Sequence, residues 1–213
     1  MREEDDVTMA YTGDGGTSQG DFHEALNFAG VFKTPTVFVV QNNQFAISVP
    51  RSKQTASENF AMKAIAYGMP GILVDGNDIF AMLAASRAAV EYARTTGPVL
   101  IEAYTYRMGA HTTSDDPTKY RKDEELEPWK EKDPILRLER YMIREGLLKE
   151  EEIEPMIEEF EKEVMDAYKR IENDSDTEIE EIFAYHYEEM TPQLKDQLEE
   201  YRAYLEGAEA NGK

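Results

Sequence analysis

The chain has 213 residues, of which 41% are hydrophobic and none is cysteine. This length predicts one domain of ordinary size with a core, and the lack of cysteine excludes disulfides and cysteine-ligated metals. The formal net charge of −21 argues against nucleic acid as a partner, because its phosphates would be repelled. We expect no membrane partner, because no apolar run approaches about 20 residues, and a cytoplasmic location, because no signal peptide is evident.

The first predicted unit is strand, turn, helix and strand. Val7–Thr12 reads as a buried strand, Gly13–Gly16 as a turn, and Thr36–Gln41 as a second, β-branched strand. Between them, four apolar residues at helical spacing predict a helix that ends before Pro35: Phe22, Leu26, Ala29 and Phe32. A unit of this size is typical of a parallel sheet, and open α/β sheets bind ligands at the carboxyl ends of their strands.

The later elements alternate and then become wholly helical. We predict a helix over Gln54–Tyr67, a strand over Gly71–Asp75, a helix from about Asp78 to Arg94, and a strand over Pro98–Tyr106. The fold class is therefore α/β, a parallel sheet with flanking helices, followed by a helical carboxyl-terminal region.

Three helices are predicted in that region, over Pro134–Arg144, Lys149–Ile171 and Met190–Leu205. The second helix carries an apolar stripe that we expect to face inward: Ile153, Ile157, Phe160, Val164, Ala167 and Tyr168. Residues 1–120 carry a net charge of −5 and residues 121–213 a net charge of −16. We interpret residues 1–122 as a ligand-binding α/β part and residues 123–213 as an acidic helical extension of the same domain.

Two polar strings follow the first two strands, GDGGTSQGD at Gly13–Asp21 and QNNQFAIS at Gln41–Ser48. Each alone would be an ordinary turn about nine times in ten. Together they offer an anionic oxygen, a neutral amide oxygen and a glycine turn before a helix, which suits a magnesium ion on a diphosphate. We expect Asp14, the Asn43 side chain and the Phe45 carbonyl to bind the metal, with two diphosphate oxygens and a water completing six ligands. The backbone at Gly15 and Gly16 would approach the diphosphate.

The two strings have the spacing and context of a thiamine diphosphate fingerprint, and the resemblance extends from Val7 to about Tyr204. The chain resembles the carboxyl-terminal part of the alpha subunit of the thiamine-dependent decarboxylating component of 2-oxo acid dehydrogenase complexes, of the pyruvate and branched-chain types. Further segments that carry the resemblance are NFAGVFKTP, ISVPRSKQTAS, VDGND, YRMGAHTTSDDPTKYR and MTPQLKDQ. The resemblance implies thiamine diphosphate and Mg²⁺ as cofactors and the thiamine diphosphate-binding fold, incomplete at its amino terminus.

The same resemblance implies a catalytic role for His111 and a cofactor-binding role for both His111 and Arg107. His111 lies in the segment Met108–Lys119, whose small, polar and turn-forming residues predict a lid that orders on ligand binding. Five neighbours match the same loop of the family and are expected to make ordering contacts rather than to do chemistry: Arg107, Ser114, Asp115, Tyr120 and Arg121. A lone histidine is usually an ordinary surface residue. We interpret His23 as one on a helix surface and expect His186 to pack between Tyr185 and Tyr187.

The resemblance also implies partners. These are a beta subunit, which would supply the glutamate that activates the cofactor, the lipoyl domain of a dihydrolipoyl acyltransferase, and a small 2-oxo acid. Members of the family begin with a region that this sequence lacks, so we expect a separate polypeptide to supply that half if the gene is split. Two alternatives stay open: a subunit of an acetoin-cleaving thiamine enzyme, and a non-catalytic remnant or interaction module.

Overall fold

The computed structural model describes residues 5–173 and 178–210. Its six strands, in chain order, are β1 (Thr8–Gly13), β2 (Thr36–Asn42), β3 (Phe45–Ala46), β4 (Val49–Pro50), β5 (Gly71–Asp75) and β6 (Val99–Tyr104). Strands β1, β2, β6 and β5 form a parallel sheet in that order, and β3 pairs with β4 in a small antiparallel hairpin. The predicted parallel sheet is confirmed.

The helices are α1 (Gly20–Phe32), α2 (Arg51–Gln54), α3 (Ile79–Thr95), α4 (Glu127–Lys130), α5 (Pro134–Arg144), α6 (Glu150–Asn173), α7 (Glu181–Ala184) and α8 (Pro192–Ala210). Short 3-10 segments lie at Gly15–Ser18, Ala61–Tyr67, Pro117–Lys119 and Asp123–Glu125. The described residues fall into two compact units, one ending at Lys149 and the other starting at Glu150. None of the helices in the described ranges is long and apolar enough to cross a membrane. The functional boundary at 122/123 stays a prediction.

The sheet is covered on both faces because its central strands are apolar on both sides. On one face, Val40 and Leu100 pack with side chains of α1 and the 3-10 segment, including Phe22, Leu26 and Ala64. On the other face, β2 and β6 pack against α3 through a second cluster: Val37, Val39, Ala89, Ala93, Val99 and Ile101. Continuous apolar runs of this kind are what a doubly covered parallel sheet requires. Because the four strands of the sheet are parallel, all of them end at the same edge.

The helix predicted over Gln54–Tyr67 is wrong in its first half. The α2 helix ends at Gln54, and helical structure resumes only with the 3-10 segment at Ala61. The Arg51 guanidinium donates to the carbonyls of Ser57 and Glu58, and the Asn59 side chain accepts from the Met62 N–H at 2.9 Å. These side-chain bonds compete with helical backbone bonds, so periodicity alone overestimated the helix.

The expectation that the apolar stripe of α6 is buried is also wrong. Phe160, Val164 and Tyr168 are 54%, 66% and 57% exposed. Helical spacing shows that one side of a helix is apolar, but burial needs another element to cover that side. The sequence therefore predicted which side of the helix is apolar, but the prediction that this side is buried was wrong.

Candidate functional site

The predicted site lies where the strands end. In the pairing of β1 with β2, Gly13 lies opposite Gln41, and the Asp14 N–H donates to the Gln41 carbonyl at 3.3 Å. Asp14 is the first residue after β1, and Asn43 is the first after β2. The structure thus places the two proposed metal-binding side chains on adjacent strand ends.

Asp14 is a buried acid whose carboxylate is hydrogen-bonded by a neutral amide. It is 1% exposed, and its Oδ2 accepts a hydrogen bond from Gln54 Nε2 at 2.9 Å. Within residues 5–173 and 178–210, no lysine, arginine or histidine forms an ion pair with it. A buried carboxylate without a cation is costly, so this position is suited to receive a metal ion.

The glycine turn is held in place from several sides. The Asp14 carbonyl accepts from the Thr17 N–H at 3.2 Å and the Thr17 hydroxyl at 2.8 Å. Lys63 Nζ donates to the Thr17 carbonyl at 3.2 Å and lies over the Phe60 ring. Burial lowers the pKa of Lys63. These contacts fix the loop that leads from Asp14 into α1.

Gly15 and Gly16 are needed for space rather than for an unusual backbone angle. A Cβ on Gly15 would lie 2.8 Å from the Ala46 Cβ, and one on Gly16 would lie 2.2 Å from the Thr12 hydroxyl oxygen. The missing side chains therefore let the turn pack against β3 and β1. Glycine also leaves the backbone N–H groups accessible to an anion at the start of α1.

Asn42 and Asn43 have different environments. Asn42 is fully buried, and its Nδ2 donates to Glu102 Oε1 at 2.6 Å, whereas the Asn43 Oδ1 accepts from the Phe45 N–H at 3.1 Å. Asn42 Oδ1 in turn accepts from the Gln44 N–H at 3.1 Å. Asn42 is thus tied into the fold, while Asn43 turns the chain and keeps a lone pair on Oδ1 for a further partner.

Two residues of this turn have left-handed backbones, Gln44 at φ 76° and Ile47 at φ 56°. The conformation is unfavourable for a β-branched residue such as Ile47, and local strain of this kind costs about 1–3 kcal/mol. The segment around β3 is therefore held in its shape by its contacts rather than by its own preference.

Phe45 and Arg107 face each other. The Arg107 guanidinium lies over the Phe45 ring at 5.7 Å from its centroid, and Nη1 is 3.4 Å from the Phe45 carbonyl oxygen. Its Nη2 donates to the Ile47 carbonyl and, at 3.0 Å, to the Tyr120 hydroxyl. The carbonyl expected to bind a metal is thus beside a guanidinium, which joins the β3–β4 hairpin to the loop after β6.

His111 is exposed on that loop, and its backbone is anchored. The His111 N–H donates to Asp115 Oδ2 at 2.8 Å, and the Tyr120 hydroxyl donates to the same oxygen at 2.6 Å. These two bonds hold the pKa of Asp115 below its ordinary value. Buried Arg121 donates to the carbonyls of Arg107, Met108 and Gly109. The Ser114 hydroxyl oxygen lies 3.3 Å from the Thr112 hydroxyl oxygen.

The two other histidines depart from their predictions. His23 is half-buried, and its Nδ1 lies 2.6 Å from the Tyr67 hydroxyl. This hydrogen bond links α1 to the 3-10 segment at Ala61–Tyr67. His186 is exposed, as are Tyr185 at 82% and Tyr187 at 63%, so the predicted packing is wrong. Its Nε2 instead lies 2.9 Å from the carbonyl oxygen of Ile182, four residues earlier in the chain.

Sequence reasoning missed Gln54 and Glu102. Gln54 contacts Asp14 from α2. Glu102 is a buried acid in β6 whose Oε1 accepts from the Asn42 side chain and whose Oε2 accepts from the Ala61 N–H at 2.8 Å. A single acid inside the apolar run VLIEAY is a signal that could have marked Glu102. No comparable local signal marks Gln54.

The donors present fit a metal that brings ligands with it. In the described parts of the chain, no three histidine, aspartate or glutamate side chains are grouped so that they could hold a metal. One buried carboxylate, one amide oxygen and one carbonyl leave ligand positions for phosphate oxygens and water, as Mg²⁺ prefers.

A cleft of about 270 Å³ opens beside Phe45, between Arg51 and the aromatic side chains of Tyr104, Tyr106 and Trp129.

A parallel sheet that presents oxygen donors after adjacent strands is typical of an α/β ligand-binding protein, and sequence comparison gives the family. The model of the Dehydrogenase E1 component family matches residues 1–180, and the chain belongs to this family. The predicted family relationship is confirmed.

Individual relatives are similar over nearly the whole chain. The chain is 51% identical over 210 residues to the pyruvate dehydrogenase E1 component subunit alpha of Acholeplasma laidlawii, covering 97% of this chain and 61% of the relative. It is 51% identical over 207 residues to the 3-methyl-2-oxobutanoate dehydrogenase subunit alpha of Mycobacterium tuberculosis, covering 95% of this chain and 56% of the relative. It thus spans a little more than half the length of these curated relatives.

Proposed function

We propose that this chain is part of a heteromeric, acyl-transferring 2-oxo acid dehydrogenase and binds thiamine diphosphate through Mg²⁺. The observation that carries the proposal is the buried carboxylate of Asp14, which pairs with no cation among the described residues and follows the strand adjacent to the one that Asn43 follows. The names of the similar proteins, pyruvate and 3-methyl-2-oxobutanoate dehydrogenase subunits, support the reaction class.

In this proposal, the chain's own residues position the metal ion and the diphosphate and compensate their charges. Asp14 supplies one negative charge, and the neutral oxygens of Asn43 and Phe45 complete the protein's share of the metal ligands. Gly15 and Gly16 let backbone N–H groups reach the diphosphate, which the start of α1 also favours electrostatically. Because Asp14 is the single charged ligand from the protein, the site repels the diphosphate less than a site with several carboxylates would.

The bound cofactor would supply the carbanion chemistry of decarboxylation, and the protein would supply orientation and electrostatics. His111, on the exposed segment after β6, is proposed to contact the cofactor's phosphate end and to shape the site where substrate and lipoyl group meet. Arg107 would contribute to cofactor binding from the same loop, which its bonds to the Phe45 and Ile47 carbonyls join to the hairpin.

The proposed partners are a beta subunit, a lipoyl domain and a small 2-oxo acid. The beta subunit would contribute the activating glutamate, so no glutamate of this chain receives that role. The part of the relatives' length that this chain does not span belongs to the same assembly, in this polypeptide or in another. We keep the cytoplasm as the proposed location.

The test is turnover by the assembled enzyme. The chain would be combined with its beta subunit and lipoyl domain and supplied with pyruvate, branched-chain 2-oxo acids and acetoin in parallel. We expect Mg²⁺- and thiamine diphosphate-dependent acylation of the lipoyl domain with a 2-oxo acid. Activity with acetoin alone would contradict the substrate class, and an assembly that binds no cofactor would contradict the enzyme function.

A further inference from the structure

Gln54 is the side chain that contacts the proposed metal-binding carboxylate. Its Nε2 donates to Asp14 Oδ2 at 2.9 Å and to the Val49 carbonyl at 3.2 Å. Within the described ranges, Asp14 Oδ1 accepts no hydrogen bond. The amide therefore engages one carboxylate oxygen and leaves the other for an ion.

The other end of the same amide has no partner. Gln54 Oε1 is buried, and no group among the described residues donates to it. Buried polar atoms are nearly always hydrogen-bonded, so an orphaned acceptor in a native fold needs an explanation. This orphaned oxygen belongs to the amide that holds Asp14, and Mg²⁺ characteristically keeps some of its own water ligands.

We propose that Gln54 is a positioning residue of the metal site, with one role for each end of its amide. Its N–H group fixes Asp14 as a ligand through Oδ1 alone, and its Oε1 accepts a hydrogen bond from a water bound to the ion. This inference rests on the proposed function, because it presumes that Asp14 binds Mg²⁺. It adds a side chain that contributes no metal ligand yet sets the number and type of ligands.

The fold explains how Gln54 arrives there. The β3–β4 hairpin turns the chain back after Asn43, and α2 begins directly after β4, so Gln54 stands four residues beyond Pro50. The Arg51 N–H donates to the Gln44 carbonyl at 2.8 Å, which ties α2 to the turn after β2. One short segment thus carries Asn43, Phe45 and Gln54 together.

The test measures metal binding rather than turnover. In the assembled enzyme with saturating thiamine diphosphate, calorimetry would give the dissociation constants of Mg²⁺ and Ca²⁺ for the native protein, Gln54→Met and Gln54→Glu. We expect Gln54→Met, which has similar length and no amide, to weaken Mg²⁺ binding at least tenfold and to reduce the preference for Mg²⁺ over Ca²⁺. Gln54→Glu keeps an acceptor oxygen and should recover part of the Mg²⁺ affinity.

A control and a second probe separate positioning from stability. Lys53→Met changes the exposed neighbour on α2 and should leave both dissociation constants within twofold. With Mn²⁺ as the probe, the electron paramagnetic resonance spectrum should change in Gln54→Met and not in Lys53→Met. Native-like metal constants and an unchanged Mn²⁺ spectrum in Gln54→Met would overturn the inference, even if its melting temperature falls. A native enzyme that binds no Mg²⁺ would instead overturn the proposed function.

Discussion

At the scale of single residues, Asp14 and Glu102 are two buried acids with opposite surroundings. Asp14 has one amide donor on its carboxylate, whereas both oxygens of Glu102 are engaged, by Asn42 and by the Ala61 N–H. A carboxylate whose oxygens are both hydrogen-bonded is structural in character. One that keeps an unbonded oxygen at a strand end is available to a ligand.

Glu102 gives a stability prediction. Gln at this position has one acceptor oxygen for two donors, so Glu102→Gln should lower the free energy of unfolding by about 1–3 kcal/mol. Urea denaturation measures the change. The exposed Glu91→Gln is the matched control and should change it by less than about 0.5 kcal/mol. Equal effects of the two substitutions would show that the Asn42–Glu102 contact contributes little.

At the scale of elements, the loop after β6 is joined to its surroundings by a few polar contacts. Asp115 accepts from the His111 N–H and the Tyr120 hydroxyl, and Arg107 and Arg121 hold the beginning of the loop. We predicted a lid that orders on ligand binding. The structure shows which contacts order it here, and the ligand dependence remains a prediction.

Hydrogen exchange tests this loop. Asp115→Asn should speed exchange of the His111 amide about tenfold or more, because a neutral oxygen accepts less strongly than a charged one. Tyr120→Phe should have a smaller effect in the same direction. Asp116→Asn is the control, because Asp116 accepts from the Thr118 N–H instead. If Asp116→Asn affected the His111 amide as much as Asp115→Asn, the anchoring role of Asp115 would be refuted.

A second element contact predicts a pH dependence. Arg137 of α5 forms ion pairs of 2.8 Å with Asp75, the last residue of β5, and with Asp78, the residue before α3. Burial opposes the charge of Asp75, but the hydrogen bonds from Arg137 and the Asn77 N–H outweigh it, so its pKa is lowered. A lowered pKa means that this contribution is complete above the ordinary aspartate pKa near 4 and is lost as the pH falls through the lowered value.

A double-mutant cycle of Arg137→Met and Asp75→Asn measures the free energy of interaction between the two side chains. We expect a coupling free energy of about 0.5–1 kcal/mol at pH 7, because both groups are partly exposed, and a loss of coupling as the pH falls through the lowered pKa of Asp75. The more exposed pair of Arg140 and Glu131 is the control and should couple more weakly. A coupling that stays constant from pH 7 down to the lowest pH at which the protein is folded would contradict the assignment to Asp75.

At the scale of the whole molecule, the sequence predicted the elements that depend on local pattern. The sheet strands β1 and β2 were placed within one residue of their ends, and α5 was predicted at its observed bounds. The glycine turn and Asn43 could be assigned because turn chemistry is local. Their side-by-side placement followed from parallel pairing.

Contacts between distant segments were not predictable in the same way. Gln54 and Asp14 are 40 residues apart, and Glu102 and Asn42 are 60 residues apart. Neither pair has a sequence signature, because each depends on how loops return to the strand ends. The α6 stripe shows the related limit for surfaces, since amphipathicity does not say whether another element covers it.

The net charge of −21 gives a prediction for the entire chain. Self-repulsion in a strongly acidic protein is relieved by salt, because the Debye length falls to about 3 Å at 1 M. We expect the thermal midpoint to rise by about 5 °C or more between 0.05 and 1 M KCl. Sorbitol at equal osmolality is the control and should have a smaller effect. A midpoint insensitive to KCl would show that repulsion does not limit stability.

The proposed function requires that Asp14 and Asn43 share one magnesium ion with thiamine diphosphate. The most direct measurement is calorimetric titration of thiamine diphosphate into the assembled enzyme, with and without Mg²⁺, for the native protein, Asp14→Ala and Asn43→Ala. We predict Mg²⁺-dependent binding to the native enzyme and its loss in both variants, with assembly intact by sedimentation. Binding of native strength in the Asp14→Ala enzyme would contradict the central claim.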